Sequence, residues 1–109
     1  MSKGRTEEEA AALFAALGDG TRLGLLRRLA ESEAQSIARL SHGTGLTRQA
    51  VTKHLHVLEQ AGLVAGTRSG RESLYSLDPV GLGAARASLD DVSAHWDAAL
   101  ARLKDFVAG

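Results

Sequence analysis

The pattern of apolar and polar residues after residue 46 predicts an amphipathic helix with both ends marked. Val51, Leu55 and Leu58 are spaced by four and three residues, which places them on one stripe of a helix facing a core. Thr47 is a suitable N-cap, and Gly62 suits the left-handed residue that ends many helices. The sequence therefore predicts a helix over residues 47–61. A second apolar stripe beside the first consists of Ala50, His54, Val57 and Ala61.

The opposite face of this helix collects long hydrogen-bonding side chains. Such side chains reach base edges and phosphates in protein–DNA complexes. An ordinary surface helix also presents a polar face to water, so this pattern alone leaves two interpretations open. The polar face comprises Arg48, Gln49, Thr52, Lys53, His56, Glu59 and Gln60.

The elements on either side favour the DNA-reading interpretation. Residues 36–42 have the apolar spacing of a short helix and end in a glycine turn at 43–45, so residues 36–61 follow the helix-turn-helix plan. Downstream, residues 63–77 read as strand, turn and strand, with Arg68 and Arg71 near the tip. Such a hairpin beside a helix-turn-helix is a wing.

Four stretches of the chain resemble the winged helix-turn-helix repressors of the ArsR/SmtB type. They are FAALGDGTR at 14–22, AVTKHL at 50–55, LEQAGLV at 58–64, and a wing running from GRE at 70–72 to YSLDP at 75–79. They occur in family order, and the resemblance covers roughly residues 13–107. It implies an α+β, mainly helical fold of about five helices and a hairpin wing. It also implies a homodimeric, operator-binding repressor of bacteria whose first and last helices form the dimer interface.

The outer helices fit a dimer. Residues 7–17 form a helix with an apolar stripe, and Asp19 caps a second helix in which Leu23, Leu26 and Leu29 face inward while Arg27 and Arg28 point outward. After Pro79, residues 80–107 carry a heptad seam and span about 42 Å, longer than the ~30 Å of a small domain. A partner would cover the excess, although the helix could instead lie wholly on its own domain. The expected interface residues are Leu13, Phe14, Leu89, Val92, Trp96, Leu103 and Phe106.

Composition is compatible with one domain over residues 1–109. The chain is 44% hydrophobic and 24% charged, with no long apolar run and a charged N-terminal segment, so we expect a cytoplasmic protein without membrane contact. The net charge is zero, but residues 36–71 contain five Lys/Arg and one acid and carry +4, whereas the flanking thirds carry −1 and −3. A neutral protein can thus present a basic face to phosphates.

Enzyme and metal chemistry have less support. There is no G-x-G-x-x-G or G-x-S-x-G motif, so we expect neither an enzyme nor a cofactor. The chain has no cysteine, and the stretch 36–40 that matches the family's thiolate site contains no ligand. Asp91 and His95 share a face of the last helix and could form half of a Zn, Ni or Co site in a metal-responsive repressor. The alternative is that His95 is a polar residue beside the dimer seam.

The predicted partner is a double-stranded DNA operator, an imperfect palindrome near a promoter. The helix at 47–61 would contact the major groove, while the wing reaches phosphates or the minor groove. A contrasting hypothesis keeps the fold but docks another protein on the same polar helix, and an effector, metal or partner protein could modulate either. The predicted DNA contacts are Thr47, Arg48, Gln49, Thr52, Lys53 and His56 on the helix, with Arg68 and Arg71 on the wing.

Overall fold

The computed structural model describes residues 6–108, which form five helices and three strands. Residues 1–5, part of the charged N-terminal segment, and residue 109 lie outside the described range. The predicted α+β, mainly helical class with a hairpin is confirmed. In chain order the elements are α1 (Glu7–Leu17), α2 (Gly20–Ala30), β1 (Gln35–Ser36), α3 (Ile37–Ser41), α4 (Arg48–Gln60), β2 (Val64–Ser69), β3 (Glu72–Leu77) and α5 (Pro79–Ala108).

The helix ends are fixed by short-range signals in the sequence. Thr6 and Glu9 form a capping box at the start of α1, and the Asp19 carboxylate accepts from the backbone N–H of Arg22 at the start of α2. Thr47 caps α4 as predicted, and Gly62 follows that helix with φ 81°. The structure therefore confirms the predicted bounds of α4 to within a residue at each end.

The three strands form one antiparallel sheet in the order β1-β3-β2. The hairpin of β2 and β3 pairs Val64 with Leu77 at its base and Ser69 with Glu72 at its tip. Gly70 makes the turn with φ 63°, a left-handed conformation that glycine adopts at little cost. On its other edge β3 pairs with the short β1, which ties the wing to the start of α3.

The core lies between the helices and the base of the wing. The predicted stripe of α4, Val51, Leu55 and Leu58, is fully buried there. Leu23 and Val57, predicted to face inward or to flank the core, are instead 42% and 38% exposed, because the neighbouring helices pack against only part of each apolar arc. The largest fully buried side chains are Leu13, Leu25, Leu29, Leu40, Leu55, Leu58, Leu63, Val51 and Val64.

Only the first part of α5 packs on its own chain. Asp78 accepts hydrogen bonds from the backbone N–H groups of Val80 and Gly81, and Leu82 and Ala85 then pack against the core. From Leu89 onward the large apolar side chains are exposed, and the chain extends over 64 Å in its longest dimension. The interpretation in which this helix lies wholly on its own domain is therefore wrong.

Two of the predicted interface residues lie in α1 and behave differently from those of α5. Leu13 is 0% exposed because the α1 stripe packs into the core of its own chain, so it offers no surface to a partner. Phe14 is partly buried against the same core. None of the helices within residues 6–108 has the length and apolar character needed to cross a membrane.

Candidate nucleic-acid interface

A groove of about 700 Å³ separates α4 from the wing, and the start of α3 also lines it. Six of the eight predicted DNA-contacting side chains line this groove together. Five come from α4 and one from the wing: Arg48, Gln49, Thr52, Lys53 and His56, with Arg71.

The burial of α4 explains why these side chains meet. Because Val51, Leu55 and Leu58 turn inward, residues at spacings of one, four, five and eight from Arg48 must turn outward on a single face. The wing then folds back beside that face. Arg71, immediately before β3, therefore lines the groove opposite the helix while it remains exposed.

The cationic side chains of the groove are not committed to other partners. Within residues 6–108 no ion pair or hydrogen bond engages the side-chain nitrogens of Arg48, Lys53 or Arg71. Arg22 and Arg28, by contrast, donate to backbone carbonyl oxygens between 2.8 and 3.2 Å away. The groove thus holds charges that are available to an anionic ligand.

The two remaining predicted contacts lie outside the lining of the groove. The Thr47 hydroxyl accepts from the backbone N–H of Ala50 at 3.0 Å, so it serves as the helix cap. Arg68 lies on the exposed wing, where its Nε donates to the Gly70 carbonyl at 3.5 Å. Arg68 is therefore held loosely near the tip.

Five lining residues were not anticipated from the sequence. Three belong to the β1–α3 junction, which reaches the wing because Ser36 is paired with Leu74 across the sheet. A two-residue strand has no periodicity to detect, so this proximity left no signal. Glu72 could have been inferred from the sequence, because it directly follows Arg71 at the wing tip. The five are Ser36, Ile37, Ala38, Glu72 and Ser73.

A polar cluster behind the groove joins α4 to α1 and α2. Arg22 donates through Nη1 to His54 Nδ1 at 3.2 Å and through its other nitrogens to the carbonyls of Ala15 and Ala16. The His54 side chain is 25% exposed, in agreement with its place in the second apolar stripe of α4. The backbone N–H of Arg22, followed by the charges of Arg22 and His54, lowers the pKa of Asp19 against the opposing effect of desolvation.

The pair considered for metal binding lies on the exposed part of α5. His95 Nδ1 is 3.7 Å from Asp91 Oδ1 and 2.8 Å from the Asp91 carbonyl oxygen. Among the residues that the structure describes, no group of three or more His, Asp or Glu side chains is placed to hold a metal ion. One chain thus offers two ligands, where tetrahedral zinc sites take three or four from the protein.

Comparison with known proteins agrees with this geometry. Residues 17–67 match the family described as "Helix-turn-helix domain". The chain is 39% identical over 90 residues to the HTH-type transcriptional regulator Rv2034 of Mycobacterium tuberculosis, covering 83% of this chain and 80% of that protein. It also superimposes on a solved ArsR-like transcriptional regulator from Rhodococcus sp. RHA1, with a TM-score of 0.72, 36% identity and coverage of 91% and 92% of the two chains.

The chain belongs to the ArsR family of winged helix-turn-helix transcriptional regulators. A further neighbour is the solution structure of a homodimeric winged helix-turn-helix DNA-binding domain from Mycobacterium bovis, a possible ArsR-family regulator. It has a TM-score of 0.64, 26% identity and coverage of 86% of this chain and 91% of that one. These findings confirm the suspected family and the prediction that the chain is a transcriptional regulator and not an enzyme.

Proposed function

We propose that this ArsR-family regulator is a homodimeric repressor that binds a palindromic DNA operator through the groove between α4 and the wing. The observation that carries the proposal is the convergence of six predicted contact residues on that groove, with its cations uncommitted. A bound dimer would repress by occupying DNA near a promoter.

Arg48 and Gln49 are the proposed base-reading residues. They occupy the first turn of α4, and the N-terminal residues of a recognition helix are those that meet base edges in the major groove. An arginine can bind guanine through two hydrogen bonds, and a glutamine can bind adenine in the same way. Lys53, Thr52 and His56 lie farther along the same face, where they would contact bases or the adjoining phosphates.

The wing is proposed to bind the DNA backbone. Arg71 lines the groove opposite α4, and Arg68 lies near the tip of the hairpin. Phosphate contacts of this kind orient a protein on DNA without reading its sequence.

The homodimer is proposed from the exposed apolar face of α5. Trp96 is 65% exposed and Phe106 is 83% exposed, and they belong to a seam that also includes Leu89, Val92 and Leu103. Exposed apolar patches of this length mark interaction sites in proteins. The homodimeric domain from Mycobacterium bovis supports a second copy of this chain as the partner. Two-fold symmetry would make the operator a palindrome with half-sites about 34 Å apart.

A binding experiment on genomic DNA tests the proposal. Fragments retained by the protein are sequenced, and binding to the recovered site and to a scrambled site is measured between about 50 and 200 mM salt. We expect a recovered palindrome, preference for it, and weaker binding as salt rises, because neutralised phosphates release counterions. A protein that binds neither DNA under these conditions would instead be a docking module, and the proposal would fail.

A further inference from the structure

A second hollow adjoins the groove on the other side of α3. It has a volume of about 590 Å³ and is lined by Arg28, Ser36, Ala38, Arg39 and His42. Ser36 and Ala38 line both the hollow and the groove, so the two form one continuous surface across the start of α3. No acidic side chain within residues 6–108 lines this second hollow.

The two arginines of this hollow differ in their hydrogen bonding. Arg28 of α2 donates through Nη1 to the carbonyl oxygens of Leu40 and His42, at 2.8 and 2.9 Å, and through Nη2 to that of Arg39, at 3.2 Å. It thereby satisfies carbonyls at the end of α3, of which that of Arg39 also accepts from the backbone N–H of His42, and it ties α2 to the end of that helix. Its N–H donors are therefore largely used within the protein.

The side chain of Arg39 makes no such hydrogen bonds within residues 6–108. Its backbone N–H and carbonyl are engaged with Ser36 and Arg28, whereas no hydrogen bond or ion pair in the described part of the chain involves its guanidinium. The residue is exposed, on a helix whose C-terminal end is hydrogen-bonded to Arg28 of α2. A free guanidinium on a fixed backbone is a suitable ligand for a phosphate group.

We propose that Arg39 binds a phosphate of the DNA backbone beside the site read by α4, at the hollow that it shares with His42. This inference rests on the proposed function, because DNA seated in the α4–wing groove would continue across Ser36 and Ala38 onto this hollow. In helix-turn-helix proteins the helix before the recognition helix crosses the DNA backbone. Arg28 is then a positioning residue, and Arg39 a sequence-independent contact.

The test compares Arg39→Gln with Arg86→Gln in the full chain. Arg86 is also an exposed arginine, but it lies on α5 outside both hollows, so its replacement removes the same charge from a different surface. Affinity for the recovered operator and for a scrambled duplex is measured by fluorescence anisotropy from about 50 to 200 mM salt. Thermal unfolding of each variant is recorded beside wild type, and neither substitution touches a described side-chain contact.

We expect Arg39→Gln to weaken binding to both duplexes by the same factor. The slope of log K against log salt should become less steep by about 0.9. The factor by which affinity drops between about 50 and 200 mM salt should then be about 3.5-fold smaller than in wild type. Arg86→Gln should keep the wild-type slope. An Arg39→Gln slope equal to that of Arg86→Gln, or a change in the preference between the two duplexes, would overturn the inference. If wild type binds the operator and only this slope is unchanged, the proposed function stands without it; if wild type binds no DNA, both fail.

Discussion

Gly81 provides a sharp test of how α5 joins the rest of the chain. A Cβ atom at this position would lie 1.4 Å from the carbonyl oxygen of Gly62, which follows the C-cap of α4. An ordinary carbon–oxygen contact needs about 3.3–3.6 Å, so Gly81→Ala must push the two backbones apart by roughly 2 Å. Overpacking of this kind typically lowers the free energy of unfolding by about 1–3 kcal/mol. Because the clash here is with backbone, we expect a loss of about 3 kcal/mol or more.

Gly83→Ala is the matched control on the same helix. No atom lies within 4 Å of a Cβ built at Gly83, and the residue is exposed, so alanine there adds only helix propensity. That substitution should stabilise the fold by roughly 0.5–1 kcal/mol. With about 4 °C per kcal/mol for a domain of this size, the melting temperature should fall by about 12 °C for Gly81→Ala and rise by about 2–4 °C for Gly83→Ala.

Thermal unfolding followed by circular dichroism measures both variants. If Gly81→Ala melts at or above the wild-type temperature, the close packing of α5 on the end of α4 is wrong. The packing also matters for function, since it sets the direction in which α5 leaves the domain. A shifted α5 would change the spacing between two recognition helices in a dimer, so operator binding should weaken further than the decrease in stability alone explains.

Three further predictions concern the wing, the dimer and the acid range. Replacing Arg68 and Arg71 together by alanine should weaken binding to all sequences alike and lower the salt slope by about 0.9 for each phosphate that the wing no longer neutralises; an unchanged slope would count against a wing that binds the DNA backbone. Leu103→Asp, on the exposed seam, should give a folded monomer in sedimentation experiments, and an undisturbed dimer would refute the α5 interface. Folding lowers the pKa of Asp19 below 3.8, so its carboxylate stabilises the native state above that pH, and the contribution disappears as the pH falls through the native value. The difference in melting temperature between wild type and Asp19→Asn should therefore be present at neutral pH and vanish in strong acid, and a pH-independent difference would refute it.

Local signals in the sequence were sufficient to predict α4 and the wing. The cap at Thr47, the apolar stripe and the glycine after the helix all act within a few residues, and the structure reproduces them. Once the stripe is buried, the outward direction of Arg48 and its neighbours follows from helical geometry. The lining of the groove by α4 was predictable for this reason.

Contacts between distant parts of the chain were not predictable in the same way. Arg28 was expected to point outward, yet its guanidinium reaches carbonyl oxygens 11 to 14 residues along the chain. Backbone acceptors at a helix end carry no side-chain signature, so no pattern of residue types reveals them. The approach of Ser36 to the wing depends on the pairing of a two-residue strand and was missed for the same reason.

The heptad pattern of α5 also conceals a change of environment. Its apolar positions continue without a break, but Leu82 and Ala85 pack on the core of their own chain while Leu89 and Trp96 are exposed. An apolar residue at the right spacing looks the same whether its own domain or a second copy covers it. The length of the helix, rather than its pattern, carried the prediction that a partner is needed.

The claim that α4 reads DNA bases is tested most directly by sequence preference at constant salt. Arg48→Ala, Gln49→Ala and, as a control, Gln60→Ala are each titrated with the recovered operator and a scrambled duplex; Gln60 is an exposed residue of the same helix outside the groove. A bidentate base contact discriminates by about 1–3 kcal/mol, so the preference for the operator should fall roughly 5- to 150-fold in each of the first two variants. Gln60→Ala should retain it. Wild-type preference in both Arg48→Ala and Gln49→Ala would contradict the assignment of α4 as the reading helix.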